Sequence, residues 1–171
     1  MSSERILDKF LGEQPKRMHK SQRSLAKIVR EAYPIGVPAM IMKSSTDRLG
    51  NSAGYSFHLG TPDDILRRVA SWLITEAGEE QRILWRLIQL LGKRHGGEDV
   101  ALSALLLANL DSDSAGVDPW VVLASSINST EPAEALLLSI EEVFRAGHKR
   151  PSDELLKSWC EGRLVESHLA L

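Results

Sequence analysis

The sequence is poor in the residues from which many covalent scaffolds and aromatic binding sites are built. It has one cysteine, Cys160, and only 5% aromatic residues among 171. A single thiol excludes a disulfide within the chain and fits a reducing compartment. No apolar run approaches the ~20 residues that a membrane-spanning helix needs, and the first residues lack the apolar core of a signal peptide. We therefore expect a cytoplasmic protein that does not associate with a membrane.

Motifs of common enzyme classes are also missing. The sequence has no Gly-rich phosphate loop, dinucleotide fingerprint, nucleophile elbow or His-Glu-x-x-His pattern. Residues 91–97 resemble a phosphate loop only superficially, because Lys93 precedes the glycine pair, and the C-terminal cap of a helix explains them. These absences favour a non-enzymatic role, and we predict no cofactor.

The histidines do not indicate a metal site. They form no i, i+4 pair, have no cysteine partner, and none follows a glutamate by three residues. Two of them come just after predicted helix ends, where a solvated position near the negative end of the helix dipole is expected. We therefore predict no bound metal for the set His19, His58, His95, His148 and His168.

Helix starts are the clearest positive signal from Thr61 onward. Each apolar run follows a capping residue, a proline or a glycine, with carboxylates that oppose the positive end of the helix dipole. Adjacent carboxylates on a helix point in different directions, so they do not form a catalytic pair. We predict solvated caps or surface positions for Asp63-Asp64, Glu79-Glu80, Glu98-Asp99 and Glu141-Glu142.

Apolar periodicity predicts an all-α chain that forms one domain over residues 1–171. Residues 1–60 are its basic N-terminal part with an irregular loop, and residues 61–171 are a regular stack of helices. The segment 99–110 is apolar almost all round, so we expect it to be the most buried helix. Other helices are predicted near 3–11, 17–32, 119–127, 132–146 and 152–170, the last broken near Gly162. Two more are predicted after Thr61, one with an apolar stripe from Ile65 to Leu73 and one with a stripe from Ile83 to Leu91 that ends at 92–97.

A short internal similarity suggests how these helices pack. The string Ala-Leu-Leu-Leu occurs at 104–107 and again at 135–138, an offset of 31 residues. Each copy precedes a Pro-initiated helix that carries a tryptophan, Trp120 or Trp159. In pattern, this period resembles that of HEAT-like arrays of helical hairpins. We predict stacked antiparallel helical hairpins, arranged either as a HEAT-like α-solenoid or as a compact helical bundle.

Charge is distributed unevenly along the chain. The net charge is −2, but residues 1–70 carry 12 basic and 7 acidic side chains, and residues 71–171 carry 9 and 16. One predicted helix holds a basic cluster that no acid interrupts before Glu31. This face is suited to phosphates, to an acidic partner, to the chain's own acidic half, or simply to solvent. Its members are Lys16, Arg17, Lys20, Arg23, Lys27 and Arg30.

Two functions from different classes fit these observations. The first is a non-enzymatic helical interaction or scaffold module, which binds a protein partner through the basic helix and the loop at 44–60. The alternative is a nucleic-acid-binding protein, such as a helical-repeat DNA-repair-type enzyme, in which the basic helix contacts phosphates. There an aromatic, Tyr55 or Trp120, holds a base, and Asp113 or Asp118 lies beside it.

The loop at 44–60 contains the remaining candidates for a site. Loops of this length are often functional, and this one offers groups that orient an anion or move a proton, so a small-molecule enzyme is the third hypothesis. The loop candidates are Asp47, Arg48, Asn51, Tyr55 and His58. Leucine-rich helices at the end of the sequence also predict an apolar face, so we expect self-association as a further property.

Overall fold

The computed structural model describes residues 2–50, 53–128, 130–162 and 170–171. These segments contain ten α-helices and no β-strand, which confirms the all-α class. A 3₁₀ helix, Lys16–Lys20, precedes α2, and a π-helix, Thr46–Gly50, follows α3. The α-helices are α1 (Ser3–Gly12), α2 (Gln22–Ala32), α3 (Ala39–Ser45), α4 (Asp63–Ala77), α5 (Arg82–Arg94), α6 (Gly97–Asn109), α7 (Ser112–Ala115), α8 (Pro119–Ser126), α9 (Ala133–Arg145) and α10 (Asp153–Cys160).

The predicted basic helix at 17–32 is two helices. Ser21 interrupts it with an extended backbone, φ −136° and ψ 118°, and its hydroxyl accepts a hydrogen bond from the Ser24 amide at 3.4 Å. Serine favours this capping geometry because its short side chain satisfies a free N–H group of the first turn. The basic residues 16–20 therefore precede α2 on a separate 3₁₀ turn.

The irregular loop predicted within residues 1–60 is partly helical. Pro38 is the N-cap of α3, and its carbonyl accepts hydrogen bonds from the Ile41 and Met42 amides at 2.9 and 3.0 Å. The π-helix continues the chain to Gly50, so the loop predicted at 44–60 begins with helical backbone. Asn51 lies outside the described residues. At the other end of the sequence, α10 stops at Cys160, and part of the predicted helix at 152–170, with His168, also lies outside them.

Helix α6 lies at the centre of the described fold. It contacts α4, α5, α8 and α9, and nearly all of its side chains are buried, as its composition predicts. Contacts run along two series of helices. The first series is α1, α4, α6 and α9, and the second is α2, α5 and α8. The core is therefore shared by the two series rather than confined to one helix pair.

Helices α6 and α9 run side by side in the same direction. His95, just before α6, lies 3.1 Å from Glu131, just before α9, measured from Nε2 to Oε2. Beyond their other ends, His148 Nε2 lies 2.8 Å from the Ala108 carbonyl oxygen. Both histidines were predicted to be solvated. Instead His95 is buried and His148 is half-buried, because the turns after their helices fold back onto a neighbouring helix.

The carboxylate of Asp99 is buried at the junction of α5 and α6. It caps α6 by accepting from the Gly96 amide at 3.1 Å, and it also accepts from Arg94 Nε at 2.8 Å and Nη2 at 2.6 Å. The hydroxyl of Tyr33 donates to it at 2.9 Å. Burial, and then the nearby Asp99 charge, raise the pKa of Tyr33 well above its ordinary value. Asp99 therefore joins α2, α5 and α6.

The neighbouring Glu98 fixes the chain segment that enters α4. Its Oε1 accepts from the amides of Leu59, Gly60 and Thr61 at 2.8, 2.9 and 3.3 Å. Glu98 is 2% exposed and Asp99 is 0% exposed. The prediction that this acidic pair is solvated is therefore wrong, because segment 55–61 lies across the start of α6 and binds Glu98, while Arg94 and Tyr33 enclose Asp99.

Replacing the central carboxylate tests how much this junction contributes to stability. We expect Asp99→Asn to lower the free energy of unfolding by about 2–3 kcal/mol, because Arg94 loses its charged partner in a largely buried setting. Urea denaturation followed by far-UV circular dichroism measures the change. The exposed Asp113→Asn is the matched control, with an expected change within about 0.5 kcal/mol. Equal effects of the two substitutions would show that the buried pair is not important for stability.

The close approach of segment 55–61 to α6 gives a second prediction. A Cβ atom added at Gly96 would overlap the ring of Phe57, whereas one added at Gly12 meets nothing within 4 Å. We expect Gly96→Ala to destabilise the protein by about 1–3 kcal/mol through overpacking. Gly12→Ala should leave its stability unchanged or slightly higher. Thermal unfolding of the two variants compares them directly, and a Gly96→Ala protein as stable as Gly12→Ala would contradict the packing described here.

Candidate functional site

The predicted basic helix lines a furrow on the surface of the α2 and α5 pair. This basic furrow has a volume of about 640 Å³. Three of the predicted residues line it from α2, and α5 adds two more basic side chains. Residues i, i+4 and i+7 of a helix share one face, which explains why the α2 set points the same way. The basic furrow consists of Arg23, Ala26, Lys27, Arg30, Glu31, Leu90, Lys93 and Arg94.

The other three predicted basic residues precede the furrow. Lys16, Arg17 and Lys20 are exposed on the 3₁₀ turn, which packs against α2. They do not line the furrow, but they continue the positive surface along the chain. Lys93 also belongs to this surface, although its position in the sequence indicates only the C-terminal end of a helix. Pairing of α2 with α5 brings it there, and no local pattern indicates that pairing.

Most of the positive charge on this surface is not paired within the described residues. Lys27 lies 4.0 Å from Glu31, and both side chains are largely exposed. Arg94 is engaged by Asp99 and also donates to the Ala26 carbonyl at 2.6 Å. Arg30 packs over the ring of Phe57, 4.1 Å from its centroid. No described carboxylate lies within ion-pair distance of the remaining basic side chains, Lys16, Arg17, Lys20, Arg23 and Lys93.

A second concavity lies on the other series of helices. This α6 cavity has a volume of about 620 Å³, and α6 forms its floor between α4 and α9. The floor is apolar and includes Val100, Ala101 and Ala104, while Leu138 of α9 lines one wall. A volume of this size is typical of sites for small molecules, for which ~300–1,000 Å³ is usual.

One end of the α6 cavity is closed by Tyr55 and His58, whose rings stack with centroids 5.9 Å apart. Tyr55 donates its hydroxyl proton to Glu131 Oε1 at 2.6 Å, and His95 approaches the other oxygen of that carboxylate. Burial, and then the hydrogen bond to Glu131, raise the pKa of Tyr55 far above its ordinary value. Its phenol therefore stays protonated, and the ring acts as a fixed wall rather than as a base.

Charged side chains close the opposite end. Glu142 of α9 accepts from Arg67 of α4 at 2.5 and 3.2 Å and pairs with Arg145 at 3.0 Å. Arg67 also donates to Asp63 at 2.6 Å. Hydrogen bonds to Glu142 and then to Asp63 raise the pKa of Arg67 above its ordinary value. This ionic bridge joins α4 to α9 across α6, so Glu142 is not the solvated surface residue that was predicted.

The loop candidates that lie within the described residues separate into two pairs. Tyr55 and His58 line the α6 cavity together, as described above. Asp47 and Arg48 are exposed on the π-helix and line neither the cavity nor the basic furrow. The chain therefore does not assemble them into one catalytic set.

Trp120, one of the two aromatic residues proposed to hold a base, is buried. Trp120 is 4% exposed, and its indole N–H donates to the Lys149 carbonyl at 2.7 Å. Asp118 caps α8 by accepting from the Trp120 amide at 2.9 Å. Asp113 is exposed on α7. Trp120 thus packs in the core, where its ring face is not accessible to a nucleotide.

Among all the residues that the structure describes, no group of three or more His, Cys, Asp or Glu side chains is suited to a metal ion. Within the described ranges, no helix combines the length and the apolar composition that crossing a membrane requires. Comparison with protein-family models, with curated proteins and with solved structures finds no match for this chain.

Proposed function

We propose that residues 1–171 form one domain of a cytoplasmic, non-enzymatic interaction module, which binds an acidic partner protein in its basic furrow. Helices close in sequence contact one another, α1 with α2, α4 with α5 and, beyond the short α7, α6 with α8, and these pairs stack along two series. This arrangement supports a HEAT-like α-solenoid over a compact bundle. Solenoids of this kind present extended surfaces to other macromolecules.

The observation that carries the proposal is the unpaired positive charge of the furrow. The acidic half of the chain does not cover it: Glu131 and Glu142 contact His95 and Arg67 instead. Self-neutralisation therefore does not explain the basic helix among the described residues. Like charges held on one face repel one another, and an acidic ligand relieves that repulsion and binds faster by electrostatic steering.

Two features favour a protein over a nucleic acid as the ligand. Glu31 lines the furrow among the basic residues, and a protein surface can place a cation against it, whereas a phosphate backbone carries only negative charge. Binding of bases also needs accessible aromatic rings, but Phe57 is covered by Arg30 and Trp72 packs against His19 at 4.7 Å. The nucleic-acid hypothesis therefore has phosphate contacts but lacks a place for the bases.

Self-association stays a separate prediction. Exposed apolar side chains on α9, Leu137, Leu138 and Phe144, offer an apolar patch. The apolar residues predicted at the end of the sequence lie mostly outside the described residues. The furrow is on α2 and α5, so partner binding there does not require a second copy of the chain.

A charge-reversal pair tests the furrow. We expect the double variant Arg23→Glu, Lys27→Glu to lose at least about tenfold in affinity for its partner, or roughly 1.4 kcal/mol, because both exposed attractions become repulsions. The control, Lys149→Glu with Lys157→Glu, changes the net charge equally at exposed positions outside the furrow. Each tagged protein is used to capture partners from native cell extract at low and high salt, and captured proteins are identified by mass spectrometry.

The expected result is a protein held by the native chain and by the control, lost with the furrow variant and at high salt, and unaffected by nuclease. A parallel arm measures binding of labelled single-stranded and duplex oligonucleotides at low salt. Nuclease-sensitive capture, or oligonucleotide binding that only the furrow variant loses, would instead establish the nucleic-acid function. Equal capture by both charge-reversal variants would exclude the furrow as the docking surface.

A further inference from the structure

The α6 cavity is closed at both ends, which favours a compact ligand over a partner helix. Tyr55 and His58 block one end, and the Arg67–Glu142 bridge crosses the other. A helix lying along α6 would have to break that bridge, which is supported by Asp63 and Arg145 as well. A small molecule fits between the two ends without disturbing either.

The floor of the cavity is apolar, with small side chains that leave room for a ligand. Ala101 is half-buried and Ala104 is buried, and both face the open volume with Val100 and Leu105. Leu138 stays 62% exposed on the wall formed by α9. An apolar body placed over α6 would cover these groups and remove Leu138 from water.

The charges of the lining determine the kind of polar group that such a ligand should carry. Asp63, Arg67, Glu142 and Arg145 pair with one another, so their two negative and two positive charges cancel. Glu134 lines the same cavity, and no described cation lies within ion-pair distance of it. It lies one turn after Glu131, at the end of the cavity that Tyr55 closes.

From this geometry we propose that the α6 cavity binds a compact molecule with an apolar body and a primary ammonium group, the ammonium lying against Glu134. Carboxylates attract ammonium groups, and no described cation competes for Glu134. The site lies on α4, α6 and α9, away from the basic furrow. It is therefore independent of the proposed partner binding.

Three probes with the same alkyl chain separate the apolar contribution from the charge. Octylammonium, octanol and octanoate are titrated into the full-length protein by isothermal calorimetry at low salt. We expect octylammonium to bind roughly threefold more tightly than octanol, the effect of one exposed ion pair, and octanoate to bind most weakly. Octanoate binding as tightly as octylammonium would overturn the assignment of the ammonium group, and the absence of binding by all three would overturn the site.

Two substitutions locate the binding. Glu134→Gln should weaken octylammonium roughly threefold and leave octanol unchanged, while the exposed Glu141→Gln on the same helix should affect neither. Ala101→Leu should weaken binding of both probes, because the larger side chain occupies part of the apolar floor. Thermal unfolding establishes that each variant is folded. Undiminished binding to Ala101→Leu, or equal effects of Glu134→Gln and Glu141→Gln, would show that the probes bind elsewhere.

Discussion

The buried carboxylate of Asp99 is the interaction on which the rest of this fold depends. A charge that leaves water is costly unless hydrogen bonds replace its hydration. Asp99 receives them from Arg94, Tyr33 and the Gly96 amide, which belong to three parts of the core. Removal of one of these partners would leave the carboxylate buried with part of its hydration unreplaced. The carboxylate therefore links the end of α2, the end of α5 and the start of α6.

Glu98 extends that constraint to both ends of the α6 cavity. It holds the amides of Leu59 and Gly60, and the same segment carries Tyr55 and His58 to the mouth of the cavity. The segment then leads directly into α4, whose first turns supply Asp63 and Arg67 to the ionic bridge. One buried glutamate thus positions the residues at both ends, although it does not line the cavity itself.

Local sequence signals predicted the helices well and their partners poorly. The glycines and acids at 96–99 do form the start of α6, which begins at Gly97, two residues before the predicted start, and the apolar composition of 99–110 correctly predicts its burial. The same pattern suggested a solvated acidic pair, because exposed and buried caps have the same sequence. An exposed cap and a buried cap differ only in their long-range contacts, here the packing of segment 55–61 against Glu98. That packing depends on how whole helices stack. At Ser21 the sequence did contain a local signal. A serine within a run of basic residues can cap a helix, and it therefore indicates a break at that point.

The candidate surfaces, too, could be predicted only in part from local sequence. The unpaired basic residues of α2 were recognisable from charge alone, whereas Lys93 joins them only because α5 packs beside α2. Arg94 lines the furrow too, yet it is not available to a ligand. Drawing its guanidinium toward an anion would leave Asp99 buried without its cation, at a cost of about 3–5 kcal/mol. An exposed ion pair returns at most about 1 kcal/mol, so Arg94 stays with Asp99. Recognition in the furrow must therefore come from Arg23 and Lys93, which no described carboxylate pairs, and from Lys27, whose pair with Glu31 is exposed and weak.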